Sequence, residues 1–320
     1  MSSNTARILY WTTERGDDLA ETTRILDRLN PDMVVLSELQ AGQATEIGAA
    51  LGMDDHMCVG TKVTPHRNAV LVRHHGPLFI QREHAAEHTR ALRIPMVNVE
   101  LGLRDENGEP VPGTIAVIGH HATFYGPTLR QIEAEWFSRA IQAHGRVLVF
   151  GDFNEPPVGE EPALARITDQ AHLHDRTHYV HGVGRVPDHR ADEALTTAGF
   201  IDLARHIAAL TGDRRPLAPT AGYGPGTEGQ GGELRIDRAY ADPVTAEAFT
   251  GFEVLDGYED VSDHRPLLAT ADLDALRGAA ITGAAIRSEA RERKAGWRAK
   301  ARAVRHGAEE AARAAAAPAG

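Results

Sequence analysis

Six short segments rich in acid, amide and histidine side chains are spaced along the chain. They are YWTTE at 10–14, VVLSE at 34–38, IGHHA at 118–122, GDFN at 151–154, RID at 235–237 and SDH at 262–264. The runs holding Glu38, His121, Asp152 and Asp263 each follow or close a stretch of strand-forming residues. A fold that brings strand ends together gathers these groups into one acidic pocket with two histidines. Carboxylates are hard oxygen ligands that suit Mg²⁺ or Mn²⁺. A phosphate ester needs such a cation to neutralise its oxygens, a group to activate water and a group to stabilise the leaving oxygen. Phosphoester hydrolysis is the chemistry these residue types point to.

Local reasoning takes some of the residues further. Glu38 closes an apolar strand, where an acid has no packing purpose, and is the first candidate ligand. In GDFN, alternation puts Asp152 and Asn154 on one face and turns Phe153 into the core. Neighbours on an extended segment diverge, so Asp263 and His264 need not touch, and His120 with His121 cannot share a zinc ion. His172, His174, His178, His181 and His189 are irregularly spaced and have no cysteine near them. They read as solvated loop residues or part of a substrate rim.

In this order the motifs resemble the endonuclease/exonuclease/phosphatase superfamily, metal-dependent phosphoesterases that include DNase I, AP endonucleases, inositol phosphatases and sphingomyelinases. The resemblance covers residues 6–270 and is most specific at GDFN and SDHRPL (262–267). It implies a four-layered α/β/β/α sandwich of two mixed sheets; composition alone equally allows an open doubly wound sheet. It also implies that Asp152 activates or aligns the attacking water and that Asn154 helps hold the phosphate. Asp237 is implied to pair with His264, and Asp263 to lie near the metal as a second ligand or water-holder. His121 takes the place of the family's histidine at the phosphate or leaving group, with Arg130, an implied substrate contact, and Gln131 following it as the family's Arg and Gln do. The departure is Thr12, a candidate substrate contact, which stands where the family's Asn after Trp would offer an amide near the metal and offers only a hydroxyl. Glu14 matches a place where some relatives carry a second acid, so it joins the candidate ligands. If Thr12 is a poor stand-in, Thr12→Asn should raise activity or leave it unchanged.

The elements that must position these groups alternate between strand and helix. Strands are predicted at 6–11, 33–39, 68–74, 93–101, 114–122, 146–153, 233–241 and 266–273. Helices are predicted at 17–30, after Gln43 up to Gly52, and at 129–145, where Gly145 stops the helix. Residues 155–195 read as a surface excursion with short helices, and 216–232 as a Gly/Pro-rich loop. Residues 1–273 form the expected catalytic domain, and 274–320 an Ala- and Arg-rich helical basic tail.

Composition sets the bounds. The 320 residues are 42% hydrophobic and 25% charged, ordinary globular chemistry. The lone cysteine, Cys58, excludes an intramolecular disulfide framework and a zinc–thiolate site. The start, MSSNTARILYW, lacks the pattern of a signal peptide, and no run approaches the roughly 20 apolar residues of a membrane span. A soluble cytoplasmic protein is expected. The net charge is −11; residues 277–320 hold ten Lys/Arg against four Asp/Glu, leaving −17 on residues 1–276. So acidic a body repels polyanions in bulk, and residues 287–305, with Trp297, are the densest supply of positive charge.

The expected activity is hydrolysis of phosphodiester bonds by metal-assisted in-line attack of water, with a nuclease acting on DNA or RNA as the leading reading. A small-molecule phosphodiesterase or phosphatase is the first alternative. A catalytically degenerate nucleic-acid-binding relative is another, and a metal-independent hydrolase a third.

Overall fold

The computed structural model describes residues 4–60, 64–84, 96–224, 227 and 229–315. Its first half runs β1 (Thr5–Thr12), α1 (Leu19–Leu29), β2 (Met33–Leu39), α2 (Gln43–Leu51), β3 (Met53–Met57), β4 (Arg67–Arg73), β5 (Leu78–Glu83) and β6 (Val97–Leu103). Then come β7 (Ile115–His121), α3 (Pro127–His144) and β8 (Val147–Asp152). An excursion follows, with α4 (Gln170–Asp175), a hairpin of β9 (Thr177–Val180) and β10 (Gly184–Pro187), and α5 (Arg190–Thr197). The chain closes with β11 (Ile201–Asp202), α6 (Leu203–Thr211), β12 (Asp237–Ala241), α7 (Pro243–Ala246), β13 (Phe249–Val254), β14 (Leu267–Asp272) and α8 (Leu273–Ala315).

Two six-stranded sheets form, ordered β13-β14-β1-β2-β4-β3 and β11-β12-β8-β7-β6-β5. Each has one parallel pair at its centre, β1 with β2 across α1 and β7 with β8 across α3; the other pairings are antiparallel. The central strands are apolar on both faces because both faces are covered. Ile8, Tyr10, Met33, Val35, Val117, Leu148 and Phe150 face the opposite sheet. Leu9, Trp11, Val34 and Leu36 instead meet Ile25 and Leu26 of α1 and Ala44 and Ile47 of α2. Ile118, Val147 and Val149 meet Ala134 and Phe137 of α3 and Leu195 of α5. Three apolar layers between four structural layers make the four-layered sandwich. Gly119 lets the sheets close: an added Cβ would lie 2.6 Å from Val97 Cγ1 and 2.8 Å from Val35 Cγ1.

The structure departs from the sequence reading at the edges. β3, β5, β9, β10, β11 and β13 were not foreseen; β3 (MDDHM) and β5 (LFIQRE) close the sheets as largely polar strands. The strand expected at 233–241 begins only at Asp237. Residues 93–95 of the strand expected at 93–101 lie outside the described residues. The excursion holds a short helix at α5, where DEALTTAG predicts one, but PALARI (162–167), the other segment read as a short helix, makes only a 3₁₀ turn at Leu164–Arg166. Leu273, Leu276 and Ala280 at the start of α8 join the inter-sheet core. Cys58 is buried in the inter-sheet core, and burial pushes its thiol up to about 11. Among the described residues, no helix is long and apolar enough to cross a membrane.

Candidate active site

The site grows where the inward-facing series of four strands turns from apolar to polar. In β8 the inward positions run Leu148, Phe150 and then Asp152; in β12, Ala241 and Ala239 precede Asp237. Register aligns them: His121 of β7 pairs with Asp152, which pairs with Asp237. In the facing sheet, Ile8 and Tyr10 lead to Thr12, and Met33 and Val35 to Ser37. These strands therefore meet at one end of the sandwich with polar tips.

Glu38 breaks this alternation, since Val34 and Leu36 on its side of β2 face the helices. The β2–β4 register shifts between Leu36 and Leu39, and Glu38 adopts a left-handed φ of 64°. A bulge re-aims a side chain that regular pleating would bury elsewhere. Glu38 turns toward the cavity, with Oε1 3.6 Å from His121 Nε2, while Oε2 accepts the Arg15 backbone N–H at 3.2 Å. Asn154, just past β8, is likewise left-handed at φ 52°.

Asp152 is the centre of the cluster. Its Oδ1 accepts the Asn154 backbone N–H at 2.7 Å, and its Oδ2 lies 3.2 Å from both Asn154 Nδ2 and His121 Nε2. Burial opposes its charge, yet His121 and His264 hold the carboxyl far below the usual range. Burial also opposes a charge on His121, but Asp152 and Glu38 raise it.

His264 Nδ1 donates to Asp237 Oδ2 at 2.7 Å. Against the opposing effect of burial, Asp237 pushes the imidazole up to about 10, so it carries a proton at neutral pH. The pair is locked from every side. Thr12 Oγ1 donates to Asp237 Oδ1 at 3.0 Å, and Trp11 Nε1 donates to the His264 carbonyl at 2.9 Å. Thr220 Oγ1 accepts the Asp237 backbone N–H at 2.9 Å, and Ser262 Oγ accepts that of His264 at 3.1 Å. The second imidazole nitrogen faces Asp263 Oδ1 at 3.8 Å.

Glu38, His121, Asp152, Asp263 and His264 line a cavity of about 540 Å³ with Arg15, Phe124, Asn154, His172 and Arg176. A larger cleft of about 840 Å³ opens at the other end of β1, with none of the motif residues in its wall.

The donor set fits a hard divalent cation. Asp152, Asp237 and His264 each offer a ligand atom within 4.8 Å of the others. Asp237 and Nδ1 of His264 are spent on each other, however, so the trio is one hydrogen-bonded pair with the Asp152 carboxylate beside it. Glu38 and Asp263 present carboxylates to the same cavity. Glu14 is exposed in a 3₁₀ turn (Glu14–Gly16) rather than on the β1 face, and burial and the Asp263 charge raise its carboxyl.

Three expectations need correction. Arg130 does not reach substrate: it is fully buried, its guanidinium donating to the Thr123, Phe124 and Asp175 carbonyls and to Asp188 Oδ2. Its task is to hold the β7–α3 loop against the excursion. Thr12 is 1% exposed and its hydroxyl is committed to Asp237, so it does not face substrate either. Asn154 Nδ2 donates to Ala122 O and Asp152 Oδ2, which makes the amide an orienter of Asp152 rather than a phosphate donor.

Arg176 was missed. It is buried at the cavity wall and donates to the Asn154 carbonyl; nothing in HDRTHYV marks it out from its neighbours. Of the His-rich stretch, His172 reaches the cavity, whereas His178 approaches Asp188 and His189 Nδ1 meets Pro156 O.

The Thr12 geometry reverses one expectation. Thr12→Val keeps the shape and removes the donor, and should lower kcat about tenfold with KM little changed, the worth of roughly one hydrogen bond to a charged group. Thr12→Asn, larger in a closed space, should also lose activity. Steady-state kinetics of both variants test this, and wild-type rates would show that Asp237 does not depend on Thr12.

The sequence signature described as the Endonuclease/Exonuclease/phosphatase family matches residues 1–264. No curated protein matches the chain. Among solved structures, an AP endonuclease from Archaeoglobus fulgidus is similar at 18% identity and TM-score 0.57, covering 83% of this chain and 99% of that one. A 3′ phosphatase from Neisseria bound to product DNA hairpin is similar at 17% identity and TM-score 0.57, with the same coverage. A mannosyl-6-phosphatase from Bacteroides thetaiotaomicron is similar at 14% identity and TM-score 0.55, covering 82% and 98%.

Proposed function

The chain belongs to the endonuclease/exonuclease/phosphatase family, and from that premise we propose that it is a Mg²⁺- or Mn²⁺-dependent phosphodiesterase acting on nucleic acid. The observation that carries the reading is the buried Asp152 carboxylate, set between His121 and the Asp237–His264 pair on a cavity floor. Glu38 would hold the cation, with Asp263 and Glu14 as further carboxylates. When bound, the cation supplies charge neutralisation at the phosphate oxygens.

The chain's own residues then divide the work. Asp152 is ionised and hydrogen-bonded to the Asn154 amide, so it can accept from a water and aim it at phosphorus. His264 is protonated and cannot serve as a base; its free ring nitrogen donates to a phosphate oxygen. His121, also raised, donates to the leaving oxygen or a neighbouring phosphate oxygen. Arg176 and Arg15 bring positive charge to an otherwise acidic wall. Phe124, 57% exposed at the rim, offers a face on which a base can stack.

A purified sample should cleave a chromogenic phosphodiester and single- or double-stranded DNA or RNA with Mg²⁺ or Mn²⁺. EDTA should abolish turnover and added metal restore it. Turnover that persists in EDTA would instead mean a metal-independent hydrolase. A second reading, a phosphatase or diesterase for small molecules, is favoured by the −17 charge on residues 1–276. Turnover of phosphorylated sugars with no cleavage of polynucleotide would decide for it.

A further inference from the structure

Beyond its clamped start, α8 leaves the body. Arg146 Nε donates to the Ala279 carbonyl and its side chain lies against Gly283, and Arg287 donates to Thr114 Oγ1. From Ser288 to Lys300 every residue is exposed, and so are Arg302, Val304, Arg305 and His306. At about 100° per residue, Arg291, Lys294, Arg298, Arg302 and Arg305 fall within a stripe about 80° wide. Glu289 and Glu292, the acids of this stretch, fall on the other side, where Arg293 and Lys300 accompany them. Among the described residues none of the five stripe cations forms an ion pair; Arg302 reaches only the Arg298 carbonyl.

This pattern is costly to the free helix. Cations three and four residues apart on one face repel, and nothing on that face offsets them. An acidic body is available in the same chain, yet the stripe does not fold onto it. Its partner must therefore be external, polyanionic and long enough to meet a cation every 4.5–6 Å, the rise of three or four residues at about 1.5 Å each. We propose that the outer half of α8 is an arm that binds the phosphate backbone of nucleic acid, with Trp297 flanking the stripe to stack on a base.

Two observations favour nucleic acid over an anionic membrane. Trp297 and Val304 are the only large apolar side chains among the described exposed residues from 288 to 306, too little to anchor a helix in lipid. Trp297, 69% exposed, lies beside the cations, as stacking on a strand they track requires. The arm also reconciles an acidic catalytic body with a polyanionic substrate, since the attraction is placed on a separate element. To that extent the proposal rests on the nucleic-acid reading of the active site.

The test uses the full chain in EDTA, so that binding is read without cleavage. A fluorescent single-stranded oligonucleotide of 20 nucleotides is titrated against the wild type and the triple variant Arg291→Glu, Arg298→Glu, Arg302→Glu, across a salt series. The variant should bind at least about tenfold more weakly, and its log–log salt slope should fall by about 2 for three lost contacts at roughly 0.7 each. Circular dichroism should show the helix retained. Turnover of a small chromogenic diester with Mg²⁺ should be unchanged, because no active-site residue is altered. Equal affinity and slope would overturn the arm while leaving the catalytic reading intact if the diester is still turned over. Binding to phosphatidylglycerol vesicles without binding to the oligonucleotide would also overturn it. So would a salt-sensitive dimer lost in the variant while oligonucleotide affinity stays the same, because the stripe would then serve a second copy.

Discussion

Glu38→Gln is expected to cut phosphodiester turnover by on the order of 100-fold or more, with the fold unchanged, the scale of losing a key electrostatic group. The substitution preserves size and hydrogen-bonding reach but removes the charge that a hard cation needs. The left-handed backbone and the bulge against β4 remain, because they belong to the main-chain pairing. The apparent metal affinity should fall, and excess Mn²⁺ should restore part of the rate. His121 supplies a second readout: Glu38 helps to raise its imidazole, so the His121 titration should move down in the variant. Glu14→Gln should do much less, since Glu14 is exposed beyond the end of β1. Normal turnover together with normal metal affinity in Glu38→Gln would remove Glu38 from the metal site.

The contrast between Glu38 and its neighbours shows what a sequence carries and what it omits. Period-two alternation is a local property, so the series ending in Asp152 and the buried Phe153 on the opposite face could be read directly. That His121 and not His120 faces the cavity follows from the same alternation, with His120 turned outward against Phe137 at a ring separation of 5.1 Å. An acid closing an apolar strand was visible as a signal, but its direction was not, because the bulge is created by pairing with a strand nearly thirty residues on.

Arg130 failed for a related reason. A motif position says which residue type follows His121, whereas the partners that bury it, Asp175 and Asp188, come from an excursion with little periodic signal. Thr12 shows a third case. A hydroxyl in place of an amide looked like a deficit in the metal site, yet its role is set by Asp237, 225 residues away. Long-range partners decide the function of buried polar groups, and composition gives no hint of them. The edge strands β3 and β5 escaped because a polar strand needs only one covered face and a neighbour's backbone.

Asp237→Asn, His264→Ala and the double variant are expected to lose similar amounts of kcat, on the order of 10²–10⁴-fold each, with little change in KM. The reasoning starts from geometry: at 2.7 Å the carboxylate fixes the ring and supplies the charge that keeps it protonated, so the two act as one unit. Asn at 237 keeps the volume and one acceptor but withdraws the negative charge, and the His264 titration should fall from about 10 toward the ordinary range near 6.5. That shift, followed by NMR of the ring, separates a lost ion pair from a merely loosened loop. The stability consequence has a definite sign. Because the folded imidazole is raised above its unfolded value, its contribution is full below pH of about 6.5, so long as Asp237 stays ionised, and is lost as pH rises through about 10. Asp237→Asn should therefore lower the melting temperature more at pH 6 than at pH 10. If the double variant instead shows the product of two independent losses, His264 and Asp237 act on separate steps, and the protonated donor assigned to His264 would have to be sought elsewhere in the cavity.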